Sequence, residues 1–281
     1  MPRVGVVGHV EWIEFAVVAR LPRQGEIVHS DEFFEEPAGG GAVATVQLRK
    51  LAGAATLYTA LGHDELGERA ARELRERHGV ALEVAVREEP QRRGFTFLDA
   101  DHERTITVLG PRCVPRRGDA LPWAELGEYE GVYFTGGDAD ALRAARAAKV
   151  LVATPRALDV IAEAGVQLDV LVGSAKDPGE ALGGTRIDPA PRHVVLTRGA
   201  EGGSWDGADG TSGGWVAAPL PGAPVDAYGS GDSFAAGLTY GLAEGRDLQG
   251  ALELAARCGA ACLTGRGPYS AQLESARPSA S

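Results

Sequence analysis

Gly229, Ser230, Gly231 and Asp232 stand directly ahead of a small-residue, apolar stretch that contains Ala235-Ala236-Gly237-Leu238 and reads as a helix. Three small residues in a row let backbone N–H groups approach an anion. A helix start adds unsatisfied N–H groups and the positive end of its dipole. Such a nest can hold the charge that develops on a transferring phosphoryl group. Asp232 falls in the first turn of the same helix, where a carboxylate can accept the proton of an attacking hydroxyl. The same four residues also suit a plain turn, with Asp232 as a simple N-cap.

The elements that must position this group are readable from periodicity. Val4 to Val7 is a short β-branched run ending at Gly8, as expected of a buried strand. Gly25 to Glu36 is more polar, with Ile27, Val28, Phe33 and Phe34 interrupting it, and reads as a strand pair or ribbon. Gly39-Gly40-Gly41 opens a helix over Ala42–Leu51, and a strand follows at Thr56–Ala60. A second helix is expected from Asp64, its N-cap, to about His78. Three strand-like runs come next, at Leu82–Val86, Gly94–Leu98 and Thr105–Leu109. From Gly131 onward strands and helices alternate, which argues for a parallel sheet covered on both faces. Asp232 to Thr264 is nearly all helical, broken near Gly245.

These elements predict an α/β fold: one doubly wound, mainly parallel sheet spanning 1–281, with a small antiparallel β lid. The lid is expected from residues 9–36 and 81–110. Composition narrows the partners. A formal net charge of −11 argues against nucleic acid, whose phosphates need a basic face. No run approaches the ~20 apolar residues of a membrane span, so no membrane partner is expected. The opening MPRVGVVGHV lacks the pattern of a secretory signal, and a cytoplasmic location is expected. Three cysteines make no disulfide framework, and Cys258 and Cys262, four apart on one helical face, are expected as buried thiols.

The longer string Asp226-x-x-Gly229-Ser230-Gly231-Asp232-x-Phe234-x-x-Gly237 resembles the second signature of the ribokinase (PfkB-type) carbohydrate kinase family, D-T-x-G-A-G-D-x-F-x-x-G. The resemblance keeps its order along most of the chain. Gly39-Gly40-Gly41-Ala42-Val43-Ala44 looks like the first, glycine-rich signature, and Gly62-His63-Asp64-Glu65-Leu66-Gly67 is similar to G-x-D-x-x-G. Glu103-Arg104-Thr105 looks like the G-E-R-T lid strand, and Leu196 to Gly202 is similar to the T-x-G-x-x-G nucleotide segment. Each string alone is weak; five in register are specific.

The resemblance implies an ATP-dependent kinase that phosphorylates a hydroxyl of a small sugar, polyol or nucleoside. It makes Asp232 the base and the amides of Gly229, Ser230 and Gly231 the anion hole. Thr197, Gly199 and Gly202 would lie beside ATP, although a tight turn after a strand explains them as well. Glu11 or Glu14 would bind substrate hydroxyls near Gly39, Gly40, Gly41 and Arg104. Asp226 would orient its loop and, in members that use one, help hold a monovalent cation such as K⁺. Mg²⁺ is implied with ATP, and a homodimer through the lid is one arrangement for Phe33, Phe34, Phe95 and Phe97.

The chain also departs from the pattern. Ala44 stands where many members have a sugar-contacting Asn, and Ser174-x-x-Asp177 replaces N-x-x-E, leaving Asp177 as the Mg²⁺-organising acid. Ala227 replaces a Thr, and Thr154-Pro155-Arg156 stands in a shortened segment. These changes motivate a second reading, a nucleotide- or sugar-binding member of the same fold that is catalytically weak. His9, Trp12 and Arg156 each have a functional reading toward ligand and a plain structural one.

Overall fold

A computed structural model describes residues 1–182 and 185–275. Its centre is a nine-stranded sheet. Strand β1 (Val4–Val7) lies between β4 (Thr56–Gly62) and β8 (Gly131–Phe134), parallel to both. The sheet continues from β8 through β9 (Val150–Ala153) and β10 (Val170–Ser174) to β11 (His193–Thr197), all parallel. Every residue of β1 and β8 is buried, because helices cover both faces, and this is why both strands read as unbroken apolar runs. An antiparallel hairpin, β12 (Gly203–Gly207) and β13 (Ser212–Trp215), closes the edge beyond β11.

The helices form where the sequence signals them. Helix α1 (Gly40–Ala52) stops at Gly53, a left-handed residue with φ 79°. Helix α2 (Glu65–Glu76) starts at Asp64, whose side chain accepts the Gly67 N–H. Helices α3 (Ala139–Ala145) and α4 (Leu158–Ala164) cover the opposite face. Helices α5 (Ser230–Ala243) and α6 (Leu248–Cys262) pack as an antiparallel pair broken at Gly245. The pair is close enough that a Cβ on Gly237 would stand 2.7 Å from Cys258 Sγ. Cys258 and Cys262 are buried and free, and burial pushes both thiols up to about 12.

A second sheet of four strands sits beside the first, in the order β3 (Glu32–Ala38), β2 (Glu11–Val17), β6 (Arg93–Leu98) and β7 (Arg104–Leu109). Its outer pairs are antiparallel and its central pair, β2 with β6, runs parallel. Two boundaries differ from expectation. Ala81–Arg87 (β5) is not lid: it pairs parallel with β4 at the edge of the large sheet. Its alternation of Leu82, Val84 and Val86 suits any strand with one buried face, so sequence alone did not say which sheet it joins. The 18–31 stretch between β2 and β3 is mostly irregular, so the first lid segment is two strands with a long link.

The lid is anchored by aromatic packing. Phe15 stacks on Phe34 with ring centres 4.5 Å apart and meets Tyr228 edge-on at 5.0 Å. Tyr228 belongs to the loop that leads into α5, so the lid rests directly on that loop. Trp12 faces the other way, fully buried, with its indole N–H on Glu35 at 3.1 Å and the Arg69 guanidinium over its ring. Its packing role is therefore structural.

Candidate functional site

In an open α/β sheet, ligands bind beyond the carboxyl ends of the strands, and the notable residues here collect at that edge. His9 follows β1, Thr135 follows β8, Thr154 follows β9, and Ser174 and Thr197 end β10 and β11. The starts of α1 and α5 point into the same space. Gly229, with φ 80°, turns the chain into α5. A Cβ there would crowd Pro268 at 2.8 Å and Val43 at 3.0 Å. Gly231 has open space around it, which leaves backbone on that turn accessible.

Asp232 lies in the first turn of α5 and retains partial solvent contact. A Cβ on Gly40, the first residue of α1, would stand 3.0 Å from Asp232 Oδ1 and 3.6 Å from both His9 Cε1 and Thr135 Cβ. Gly39 and Gly41 press as closely on Glu11 and His9, so the glycine run lets α1 start against β1 and its following turn. Burial in the surrounding protein, reinforced by the Glu180 carboxylate, pushes Asp232 up to about 6, while Arg104 and Arg156 oppose that rise. A carboxyl group poised there is ionised at neutral pH yet basic enough to take a proton.

Asp226 is 1% exposed and ties the loop together. Its two oxygens accept the Tyr228 N–H at 2.7 Å and the Gly267 N–H at 3.0 Å. Nearby carbonyls are also engaged. Ala227 O accepts from Ser230 Oγ and from Arg104, both at 3.0 Å, and Val225 O lies 3.1 Å from His102 Nδ1. These bonds hold the loop ahead of α5 in place.

Arg104 therefore lies on the loop carbonyl, joining the lid to the turn before Asp232. Of the two acids expected near substrate, only Glu11 faces the cleft. It is 8% exposed, with Arg92 Nε 2.7 Å away and His9 Nε2 3.8 Å away. Glu14 lies on the opposite face of β2, since side chains alternate, and is ion-paired with Arg93. The expectation that Glu14 contacts substrate is corrected accordingly.

Asp177 is also placed differently. Its carboxylate caps a short turn through the Gly179 N–H at 2.8 Å and pairs with Arg156. Glu180, three residues later, is the acid turned inward: it accepts the Ser174 N–H at 2.6 Å and Arg156 Nε at 3.0 Å, and its charge raises Asp232. Among the described residues there is no group of three or more His, Cys, Asp or Glu side chains able to cage a metal. The Asp177 and Glu180 carboxylates are the hard oxygen donors at this edge, a chemistry that suits a hydrated Mg²⁺ with few protein ligands.

Thr197 ends β11, its hydroxyl 3.4 Å from Gly173 O, and Gly199 and Gly202 take positive φ of 64° and 77° in the turn that follows. A Cβ on Gly202 would collide with the Trp215 carbonyl, which accounts for the glycine by itself. Several site residues carry no motif. Gln91, 2% exposed, accepts the Gly62 N–H and donates to Val10 O, fixing the crossing from which Arg92 enters the cleft. Arg92, Arg112 and Glu180 join from segments whose sequence resembles any polar loop, and Thr135 from the end of the apolar strand β8.

The chain is thus a doubly wound α/β sheet with a lid, and a helix start carrying the Asp232 carboxylate lies at its carboxyl edge. A family model described as pfkB family carbohydrate kinase matches residues 1–276, and the chain belongs to that family. The fold is similar to a putative ribokinase from Agrobacterium tumefaciens, with a TM-score of 0.80 at 21% identity over 96% of this chain and 94% of that one. It is similar to Arabidopsis thaliana ribokinase complexed with ribose and ATP, with a TM-score of 0.76 at 18% identity over 97% and 96% of the two chains. A microbiome-derived acarbose kinase is similar too, with a TM-score of 0.79 at 20% identity over 97% and 96%. No protein of curated function matches the chain by sequence.

Proposed function

We propose that the protein transfers the γ-phosphoryl group of ATP to a hydroxyl of a small sugar-like acceptor, with Asp232 as the base. The observation that carries this reading is the meeting of Asp232, the α5 start and Gly40 at the carboxyl edge of the sheet. The acceptor hydroxyl gives its proton to Asp232 as its oxygen bonds to phosphorus. The bond from phosphorus to the ADP oxygen breaks, and ADP leaves. The amides of Gly229, Ser230 and Gly231 face the charge that builds on the transferring group. Glu11 lies where it can accept hydrogen bonds from acceptor hydroxyls, beside Gly39, Gly40 and Gly41.

ATP would lie along the end of β11 against Thr197, Gly199 and Gly202. Mg²⁺, bound to its phosphates, would supply charge neutralisation, and Glu180 is the acid suited to hold a water of that ion in place of Asp177. Arg104 and the Phe15–Tyr228 contact close the lid over the loop, which excludes water from the transfer. The test is ADP release and phosphorylated product over a panel of sugars, polyols and nucleosides with ATP and Mg²⁺. Product from at least one acceptor is expected. ATP binding with no turnover on any acceptor would instead favour the catalytically weak binding member.

A further inference from the structure

The cleft beyond Asp232 is rich in guanidinium groups, against the −11 charge of the chain as a whole. Arg92, Arg112 and Arg156 all bear on His9, and with its burial they push its imidazole well below its usual range. Two of the three already have acids. Arg156 is held by Asp177 and Glu180, and Arg92 lies 2.7 Å from Glu11. The Arg92 Nε–H is nevertheless buried and misses hydrogen-bond geometry to that carboxylate. Arg112 shares the buried, unpartnered Nε of Arg92 but differs in that, among the described residues, its guanidinium has no ion pair.

Drawing a guanidinium partly out of water with no acid bonded to it is costly, and a bound anion would offset that cost. Burial and the neighbouring Arg92 pull Arg112 below its ordinary value, with Glu11 opposing them. Position shows where a counter-charge would come from. A Cβ on Gly136 would stand 3.6 Å from His9 Nδ1 and 4.0 Å from Arg112 Cδ, whereas a Cβ on Gly40 would stand 3.6 Å from His9 Cε1 and 3.0 Å from Asp232 Oδ1. Arg112 and Asp232 thus both come close to the Nδ1–Cε1 edge of the His9 ring. A small molecule with one hydroxyl at Asp232 comes within reach of Arg112 past the same edge of His9.

We propose that the acceptor is an anionic sugar derivative, whose carboxylate or phosphate is bound by Arg112 with Arg92 beside it, while a hydroxyl at its other end meets Asp232. This rests on the kinase reading for the second contact only. Neutral His9 lines the same space, where it can hydrogen-bond a hydroxyl without adding charge. Glu11 screens Arg92 and leaves Arg112 as the main anion partner.

The test compares ribose with ribonate and ribose 5-phosphate, and glucose with gluconate and glucose 6-phosphate. Turnover with ATP and Mg²⁺ is measured alongside calorimetric binding of each compound without ATP. An anionic member of at least one series is expected to exceed its neutral parent by about tenfold to a hundredfold in kcat/KM and in affinity, the range of a charge-assisted pair. Whether the acid or the phosphate leads distinguishes the two sources of charge. Arg112→Gln should remove the preference through KM, and Arg112→Lys should restore part of it. A preference for the neutral parents in both series would overturn the proposal. So would an equal loss of kcat for every acceptor in Arg112→Gln, which would place Arg112 on the transferring phosphoryl group. Binding of an anionic compound that depends on Arg112, with no turnover of any compound, would sustain this inference while removing the kinase reading.

Discussion

Gly40 and Asp232 open two different helices and meet at one point, where a methyl group on Gly40 would stand 3.0 Å from Asp232 Oδ1. In the proposed reaction the acceptor hydroxyl enters beside that contact. Gly40 has no positive φ, so alanine is tolerated by the backbone and the effect is steric. Gly40→Ala is expected to lower kcat/KM by roughly 10- to 100-fold, the scale of a displacement near 1 Å in a reacting geometry. Thermal unfolding should change little. Steady-state kinetics and a melting curve on the same preparation check both parts.

Asp232, pushed up to about 6 by burial and by Glu180, must be ionised to act as a base. Activity should therefore fall as pH drops through about 6 in the free enzyme, read from kcat/KM. Removing the Glu180 charge takes away one cause of the rise. Glu180→Gln should shift that acid limb to lower pH, although it also weakens turnover if Glu180 holds a water of Mg²⁺. An unmoved limb in Glu180→Gln would mean that Asp232 does not feel Glu180.

The same shift has a consequence for stability. Asp232 binds its proton more tightly folded than unfolded, because its value rises from 3.8 to about 6. The protonated form thus favours the fold below about pH 4, and this contribution is lost as pH rises through 6. Asp232→Asn should melt higher than the parent at pH 8, by about 1 to 3 kcal/mol in stability. The difference should narrow toward pH 4. Calorimetry at the two pH values reads it.

Arg104 joins the lid to the carbonyl of Ala227, ahead of the anion nest. Arg104→Ala removes that clamp and leaves the Phe15–Tyr228 contact in place. The expected result is a rise in KM for the acceptor with a smaller change in kcat, because lid closure weakens while the base stays in position. Hydrogen exchange in β7 should speed up in parallel.

Much of the fold was legible because it rests on local signals. The caps at Asp64 and Gly53, the break at Gly245 and the apolar runs of β1 and β8 each follow from residue type. The placement of β5 was not legible, since its alternating residues fit an edge strand of either sheet. At the site, Asp232 and its glycines stood out because a nest needs consecutive small residues. Glu180 and Arg112 did not, because a charged loop residue looks the same whether the fold turns it inward or to water. Glu14 misled for the related reason that only strand alternation, once the register is known, separates it from Glu11.

The central claim is that Asp232 removes the acceptor proton. Turnover of Asp232→Asn, measured beside ATP affinity by calorimetry, tests it most directly. A loss of kcat of about 100-fold or more with ATP affinity within a few-fold of the parent is the predicted result. Turnover close to that of the parent would contradict it.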